Sequence, residues 1–230
     1  MKKIGLIGGM GWESTVIYYQ TINRMMNSLR GGHHTANLHV SSVDFGEAYP
    51  MLRDSQHSEL ASLISRNLEL QSLAGCDVSL ICCNTAHQAL PFIDIKLKET
   101  LIPIMDTVAQ EAVVREFDCV AVLGTSSTLR SNLYDASFNA VGISCLKPNS
   151  CEAARIDQII FSELMFGVVN QESIDFAVDV IARLKSEGAQ AVVLGCTELP
   201  MLIKHEASCL PLLDSVELHC RKAVSMAMEA

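Results

Sequence analysis

Positive charge is scarce in this chain. Seventeen Lys and Arg face 26 Asp and Glu for a net charge of −9, and no extended run of basic residues is present. Sequence-independent nucleic-acid binding needs a basic surface, so that class is excluded. Uninterrupted apolar runs of about 18 residues, the length a membrane-spanning helix requires, are also missing. Met1-Lys2-Lys3 followed by Ile4-Gly5-Leu6-Ile7 superficially resembles a secretory leader. Glu13 interrupts it early and no small-residue cleavage site follows, so a buried first strand is expected instead. The nine cysteines are odd in number and lack the spacing of a disulfide framework, which points to reduced thiols in a cytoplasmic protein. There is no Cys-x-x-Cys, and His33, His34 and His205 have no partner at metal-ligand spacing; no metal site is expected. Low-complexity segments and long polar linkers are absent too.

What is present is a core. Of the 230 residues, 49% are hydrophobic and only 19% charged, enough apolar material for two lobes rather than one small domain. Short β-rich runs at Ile4–Ile7, Leu38–Val43, Val78–Cys82, Val120–Leu123 and Ala191–Leu194 read as strands. Ser14–Ser28, Ser58–Ala74, Glu152–Phe166 and Ser173–Glu187 carry apolar residues at three- and four-residue spacing. Gly75 and Gly188 follow two of them as stop signals. Strands alternating with helices predict an α/β fold with parallel sheets and helical crossovers.

An internal repeat refines this. Ile4-Gly5-Leu6-Ile7-Gly8-Gly9 is matched by Val120-Ala121-Val122-Leu123-Gly124-Thr125, and Asp77–Thr85 by Gln190–Thr197. Ile102-Pro103-Ile104-Met105-Asp106-Thr107-Val108 is matched by Leu210-Pro211-Leu212-Leu213-Asp214-Ser215-Val216. Three ordered matches at a nearly constant offset predict a duplicated α/β half, and two such halves can face each other across a pseudo-twofold axis. Ligands of open α/β sheets collect outside the carboxyl ends of the strands. With the two halves facing each other, Cys83 and Cys196 would approach one ligand from opposite sides, in an active site between the lobes.

Each of these cysteines follows a strand and precedes an expected helix. Unpaired N–H groups and the positive end of a helix dipole favour thiolate there. Thr85, Thr197 and Asn84 can hydrogen-bond a sulfur or a substrate carboxylate. Cys82 should point to the opposite strand face and be core; Cys76, Cys119, Cys145 and Cys220 read as small buried hydrophobes. Two opposed thiols suit inversion at a stereogenic carbon: a thiolate removes a proton from one face and a thiol delivers one to the other. The carbanion beside a carboxylate needs positioned N–H donors, which the Gly8-Gly9-Met10-Gly11 turn and the residues after each cysteine can supply.

Gly8-Gly9-Met10-Gly11-Trp12-Glu13-Ser14-Thr15, Cys83-Asn84-Thr85-Ala86-His87 and Gly195-Cys196-Thr197-Glu198 resemble the three signatures of the cofactor-independent aspartate/glutamate racemase family, over essentially the whole chain. The resemblance implies two Rossmann-like lobes with parallel sheets, related by a pseudo-twofold axis, a two-cysteine acid/base pair between them, no pyridoxal phosphate, a small acidic amino acid as substrate, a homodimer, and a C-terminal helix that returns to the first lobe. The lobes would then be 1–104 plus 213–230 and 105–212. Cys83 and Cys196 become the acid/base catalysts; Met10, Asn84, Thr85, Thr197 and Glu198 become substrate-shell candidates. Some relatives have Thr at the position of Cys83, so the cysteine here implies racemisation in both directions.

There are departures. Relatives carry a basic residue just before the glycine of the segment matching Glu163–Gly167, where this chain has Met165 and Phe166, and Trp12 stands where many have Pro. Arg53, expected in the loop after Asp44-Phe45, is the best remaining cation for a distal carboxylate. Thr125, with Ser126 and Thr128, could bind a carboxylate at the second lobe's first turn or serve as an ordinary N-cap. His87 could tune the Cys83 thiol or act structurally, and Asp106 and Asp214 read as loop caps. The glycines at 5, 8, 9 and 11 do not fit a dinucleotide fingerprint. Two alternatives stay open beside racemisation of aspartate or glutamate: a cysteine-dependent isomerase, decarboxylase or hydantoin racemase acting on a related acid, and a silent ligand-binding homologue.

Overall fold

The computed structural model describes residues 1–229, and two compact units emerge from it: Met1–Ile104 together with the chain from Val216 onward, and Met105–Ser215. The first contains β1 (Ile4–Gly8), α1 (Trp12–Arg30), β2 (Leu38–Ser42), α2 (Phe45–Arg53), α3 (His57–Leu73) and β3 (Val78–Ile81). Two 3-10 segments follow, Thr85–Phe92 and Ile95–Lys98, and α4 (Ile104–Val114) starts at the boundary. The second contains β4 (Cys119–Leu123), α5 (Ser126–Arg130), α6 (Leu133–Ala140), β5 (Ser144–Leu146) and α7 (Ser150–Ser162). After a 3-10 turn at Leu164–Phe166 come α8 (Gln171–Ser186), β6 (Ala191–Leu194), α9 (Leu199–Leu202) and β7 (Leu212–Asp214), and the chain ends on α10 (Ser215–Met228).

Both sheets are wholly parallel. The first runs β2-β1-β3, the second β5-β4-β6-β7. A single parallel bridge between Ser79 and Leu101 occupies, beside β3, the place that β7 takes beside β6. The two units thus share one strand order, and the sequence repeat falls on equivalent elements: β1 on β4, β3 on β6, the segment at Leu101 on β7. The second lobe's expected end at residue 212 moves to Ser215, because Leu212–Asp214 pairs with β6 and belongs to the second sheet.

Alternation along the strands distributes the core. Ile4, Leu6, Val78, Leu80 and Cys82 face α1 and α10, where they meet Tyr18, Ile22, Met26, Val216, Cys220 and Val224. Ile7 and Ile81 face the opposite layer and pack with Leu60, Ile64 and Leu68 of α3. In the second unit Ala121, Leu123, Val192 and Leu194 pack against α7 and α8. Buried on both faces, such strands must be continuously apolar, which is why their short runs are legible in the sequence. The α2, α5, α6, β5 and β7 elements carry no such signal. They are short, and β5 is a partly exposed edge strand of three residues. Among the described residues no helix is long and apolar enough to cross a membrane.

Candidate active site

In each unit the chain leaves the first sheet strand through a glycine turn beside the cysteine-bearing strand end, the crevice where open α/β sheets take ligands. In the first unit, Gly9 has φ +90, and a Cβ built on it would lie 2.1 Å from the Val43 carbonyl oxygen. Only glycine fits that close approach. The turn is fastened by the Thr15 hydroxyl, which accepts the Gly9 N–H at 2.9 Å. In the second unit, a Cβ on Gly124 would stand 3.4 Å from the Gly195 carbonyl oxygen, so the Gly124–Thr125 turn lies against the start of the Cys196 turn.

Cys83 is half-buried against the α3-side core, while Cys82 is fully buried in the layer facing α1 and α10. Burial drives the Cys82 thiol well above its usual range, so it stays protonated. Burial likewise raises Cys76, Cys119 and Cys145, the last to about 12. Behind Cys83 sits fully buried His87. Its Nδ1–H donates to the carbonyl oxygens of Cys83 (2.9 Å) and Asn84 (3.2 Å), and its Nε2 accepts the Ile104 N–H at 3.3 Å. Carbonyls on one nitrogen and an N–H on the other fix a neutral Nδ1–H tautomer. His87 therefore grips the backbone of the Cys83 turn. A second buried histidine, His219 of α10, donates from Nε2 to the Ile102 carbonyl and accepts the Tyr18 hydroxyl at Nδ1, each at 2.8 Å. Burial lowers its pKa to about 3. No local sequence signal announces His219, because its partners Tyr18 and Ile102 lie far away in the chain.

In the second unit Cys196 is half-buried, and its Sγ–H donates to Glu198 Oε2 at 2.8 Å. Thr197 and Glu198 are partly exposed beside it, as Thr85 is in the first unit, whereas Asn84 is buried.

Three of the expected site residues have structural partners of their own. The Met10 side chain is buried and packs with Ile7, Ala48 and Leu60. Arg53 lies in the last turn of α2, not in a loop. Its guanidinium forms a bidentate pair with Asp54, Nε–Oδ1 and Nη2–Oδ2 both 2.7 Å, which occupies the fork a substrate carboxylate would need. The Thr125 hydroxyl accepts the Thr128 N–H at 3.3 Å as an N-cap, and the adjacent Ser126 N–H is taken at 2.7 Å by Asp157 of α7. That turn already holds a carboxylate of its own, from a residue that no motif in the sequence marks. The expected helix dipoles are also weaker than assumed: a 3-10 segment follows Cys83, and only the single turn of α9 follows Cys196.

Comparison with known proteins follows the same lines. The family model for Asp/Glu/hydantoin racemases matches residues 7–223. The broad specificity amino-acid racemase RacX of Bacillus subtilis is 23% identical over 228 residues, spanning 96% of each chain. A candidate Asp/Glu racemase from Yersinia pestis superposes with a TM-score of 0.94 at 31% identity, over 100% of both chains. An aspartate racemase homologue from Pyrococcus horikoshii gives 0.85 at 29%, again over 100% of both.

Proposed function

This chain belongs to the Asp/Glu/hydantoin racemase family, and from that premise we propose that it interconverts the enantiomers of aspartate, glutamate or a related small amino acid by proton transfer at Cα between Cys83 and Cys196. The observation that carries the reading is topological. One half-buried thiol stands just past the C-terminal end of β3 and another just past β6, equivalent strands of two sheets with the same order. A duplicated fold that keeps a thiol at both equivalent positions supplies two acid/base groups, one for each face of a carbon undergoing inversion.

In this mechanism the Cys83 thiolate takes the Cα hydrogen as a proton, and the electron pair stays on Cα as a carbanion conjugated with the carboxylate. The Cys196 S–H then passes its proton to the other face. The products are the opposite enantiomer, a Cys83 thiol and a Cys196 thiolate; exchange with water restores the starting protonation. Backbone N–H groups of the glycine turn and of the residues after each cysteine stabilise the developing charge. The sequence of steps requires both sulfurs to reach one Cα, and it needs no cofactor. We further read the enzyme as a cytoplasmic homodimer.

A second reading concerns the side chain of the substrate. Arg53 is engaged by Asp54, and Phe166 is 76% exposed where the resemblance leads one to expect a basic residue. Both features favour tolerance of neutral side chains, and RacX is itself a broad-specificity racemase. Incubation with each enantiomer of aspartate, glutamate and a panel of neutral amino acids in deuterated water tests both readings. Loss of optical activity with deuterium at Cα is expected for at least one pair. Absence of exchange across the whole panel would refute the racemase.

A further inference from the structure

The contact between Cys196 and Glu198 carries information about protons. A carboxylate can only accept a hydrogen bond, whereas a thiol carries an S–H donor. The hydrogen of the 2.8 Å bond is therefore on sulfur. The backbone of the turn that carries both residues is fixed: Leu199 N–H donates to the Cys196 carbonyl at 3.3 Å and Met201 N–H to the Glu198 carbonyl at 2.9 Å. Cys196 also lies near the buried Tyr134 phenol, which is bonded to Ser215 and has Asp214 and Cys145 close by. A thiolate formed at Cys196 would meet the negative charge of Glu198 at contact distance.

We infer that Glu198 is a positioning residue that keeps Cys196 protonated in the resting enzyme and aims its S–H, so that Cys83 begins the cycle as base and Cys196 as acid. The inference rests on the two-thiol reading above. Racemisation has an equilibrium constant of one, so kcat/KM is equal in the two directions whatever Glu198 does. Its role is therefore read from titration rather than from a ratio of directions.

The test is iodoacetamide labelling of the full-length protein across a pH series, followed peptide by peptide by mass spectrometry. In Glu198→Gln, the labelling midpoint of Cys196 falls by about one pH unit, so labelling at neutral pH quickens about tenfold; the Cys83 midpoint stays where it is. A change in exposure alone would alter the labelling rate at every pH without moving the midpoint. Glu198→Ala gives the same downward shift without an amide at the site. A Cys196 midpoint that stays put in both variants overturns the inference. If the midpoint falls but the wild-type protein exchanges no Cα hydrogen, the hold of Glu198 on the thiol stands and the racemase reading is what fails. If the wild type exchanges Cα hydrogen and the midpoint does not move, the racemase reading stands and the hold of Glu198 fails.

Discussion

The His87 ring donates its Nδ1–H to the carbonyl oxygen of Cys83, four residues before it, at 2.9 Å. The histidine of the Cys83-Asn84-Thr85-Ala86-His87 motif thus acts on the cysteine's backbone, and the competition between tuning and structure resolves toward structure. Removing the ring leaves two carbonyls and the Ile104 N–H without this partner inside the core. His87→Ala is expected to cost about 1–3 kcal/mol of stability, read as a lowered denaturant midpoint. His87→Asn, whose side-chain amide can stand in for Nδ1–H, should recover part of it. An alanine variant as stable as wild type would show that the ring does not hold the turn.

Acid should loosen the first unit through His219. Its folded pKa is depressed to about 3 by burial, against an ordinary value near 6.5 in the unfolded chain. Between those values the unfolded state binds the extra proton. The contribution to stability is complete above the unfolded pKa and is lost as pH falls toward the folded one, at about 1.4 kcal/mol per pH unit for one proton. Melting temperatures measured down a pH series should therefore slope downward below about pH 6.5. In His219→Gln the overall stability is lower but that slope is shallower. Parallel slopes in the two proteins would assign the acid sensitivity to other groups.

Gly9 and Gly31 separate two costs that positive φ usually confounds. Both have positive φ, at +90 and +69, but a Cβ on Gly9 meets the Val43 carbonyl at 2.1 Å while one on Gly31 meets nothing within 4 Å. Gly31→Ala should lose only the conformational cost, about 1–3 kcal/mol. Gly9→Ala adds a backbone collision and should lose several-fold more, with the turn displaced and activity falling alongside stability. Equal denaturant midpoints for the two variants would mean the Gly9 turn yields easily.

How far the sequence reaches depends on how local each cause is. The β1, β3, β4 and β6 strands are legible because burial on both faces forces apolar runs, as in Val192-Val193-Leu194. The thiols are legible because the repeat aligns Cys83 with Cys196. What stays hidden is set by distant partners or by immediate neighbours that no period reveals. Asp157 reaches the Ser126 N–H from 31 residues away, and Tyr18 meets His219 across 201. Arg53 looks available for a substrate because nothing in the spacing says that Asp54, the very next residue, folds back onto its guanidinium. Met10 sits in a glycine-rich turn that reads as facing a substrate, and its side chain packs into the α3-side core.

The Arg53–Asp54 pairing has its own consequence. If Arg53 held a distal carboxylate, Arg53→Ala would raise KM for aspartate or glutamate tenfold or more, the loss of roughly one charge-assisted contact. Because its fork is filled by Asp54 at the protein surface, the expected change is less than about threefold, measured beside kcat for each substrate the protein accepts. A large and selective rise for acidic substrates would show that the arginine leaves Asp54 when they bind.

Single replacement of each thiol separates the two faces of the reaction. General acid/base groups contribute about 10²–10⁴-fold, so Cys83→Ala and Cys196→Ala should each reduce racemisation by at least that range's lower bound. Proton abstraction, however, needs only one sulfur. In the two-thiol mechanism each variant retains deuterium exchange at Cα from the enantiomer whose hydrogen faces the surviving cysteine, with configuration kept. The two variants must choose opposite enantiomers. Nuclear magnetic resonance of each enantiomer in deuterated water reads this directly. Exchange of the same enantiomer by both variants would place both residual activities on one face and exclude a division of labour between Cys83 and Cys196.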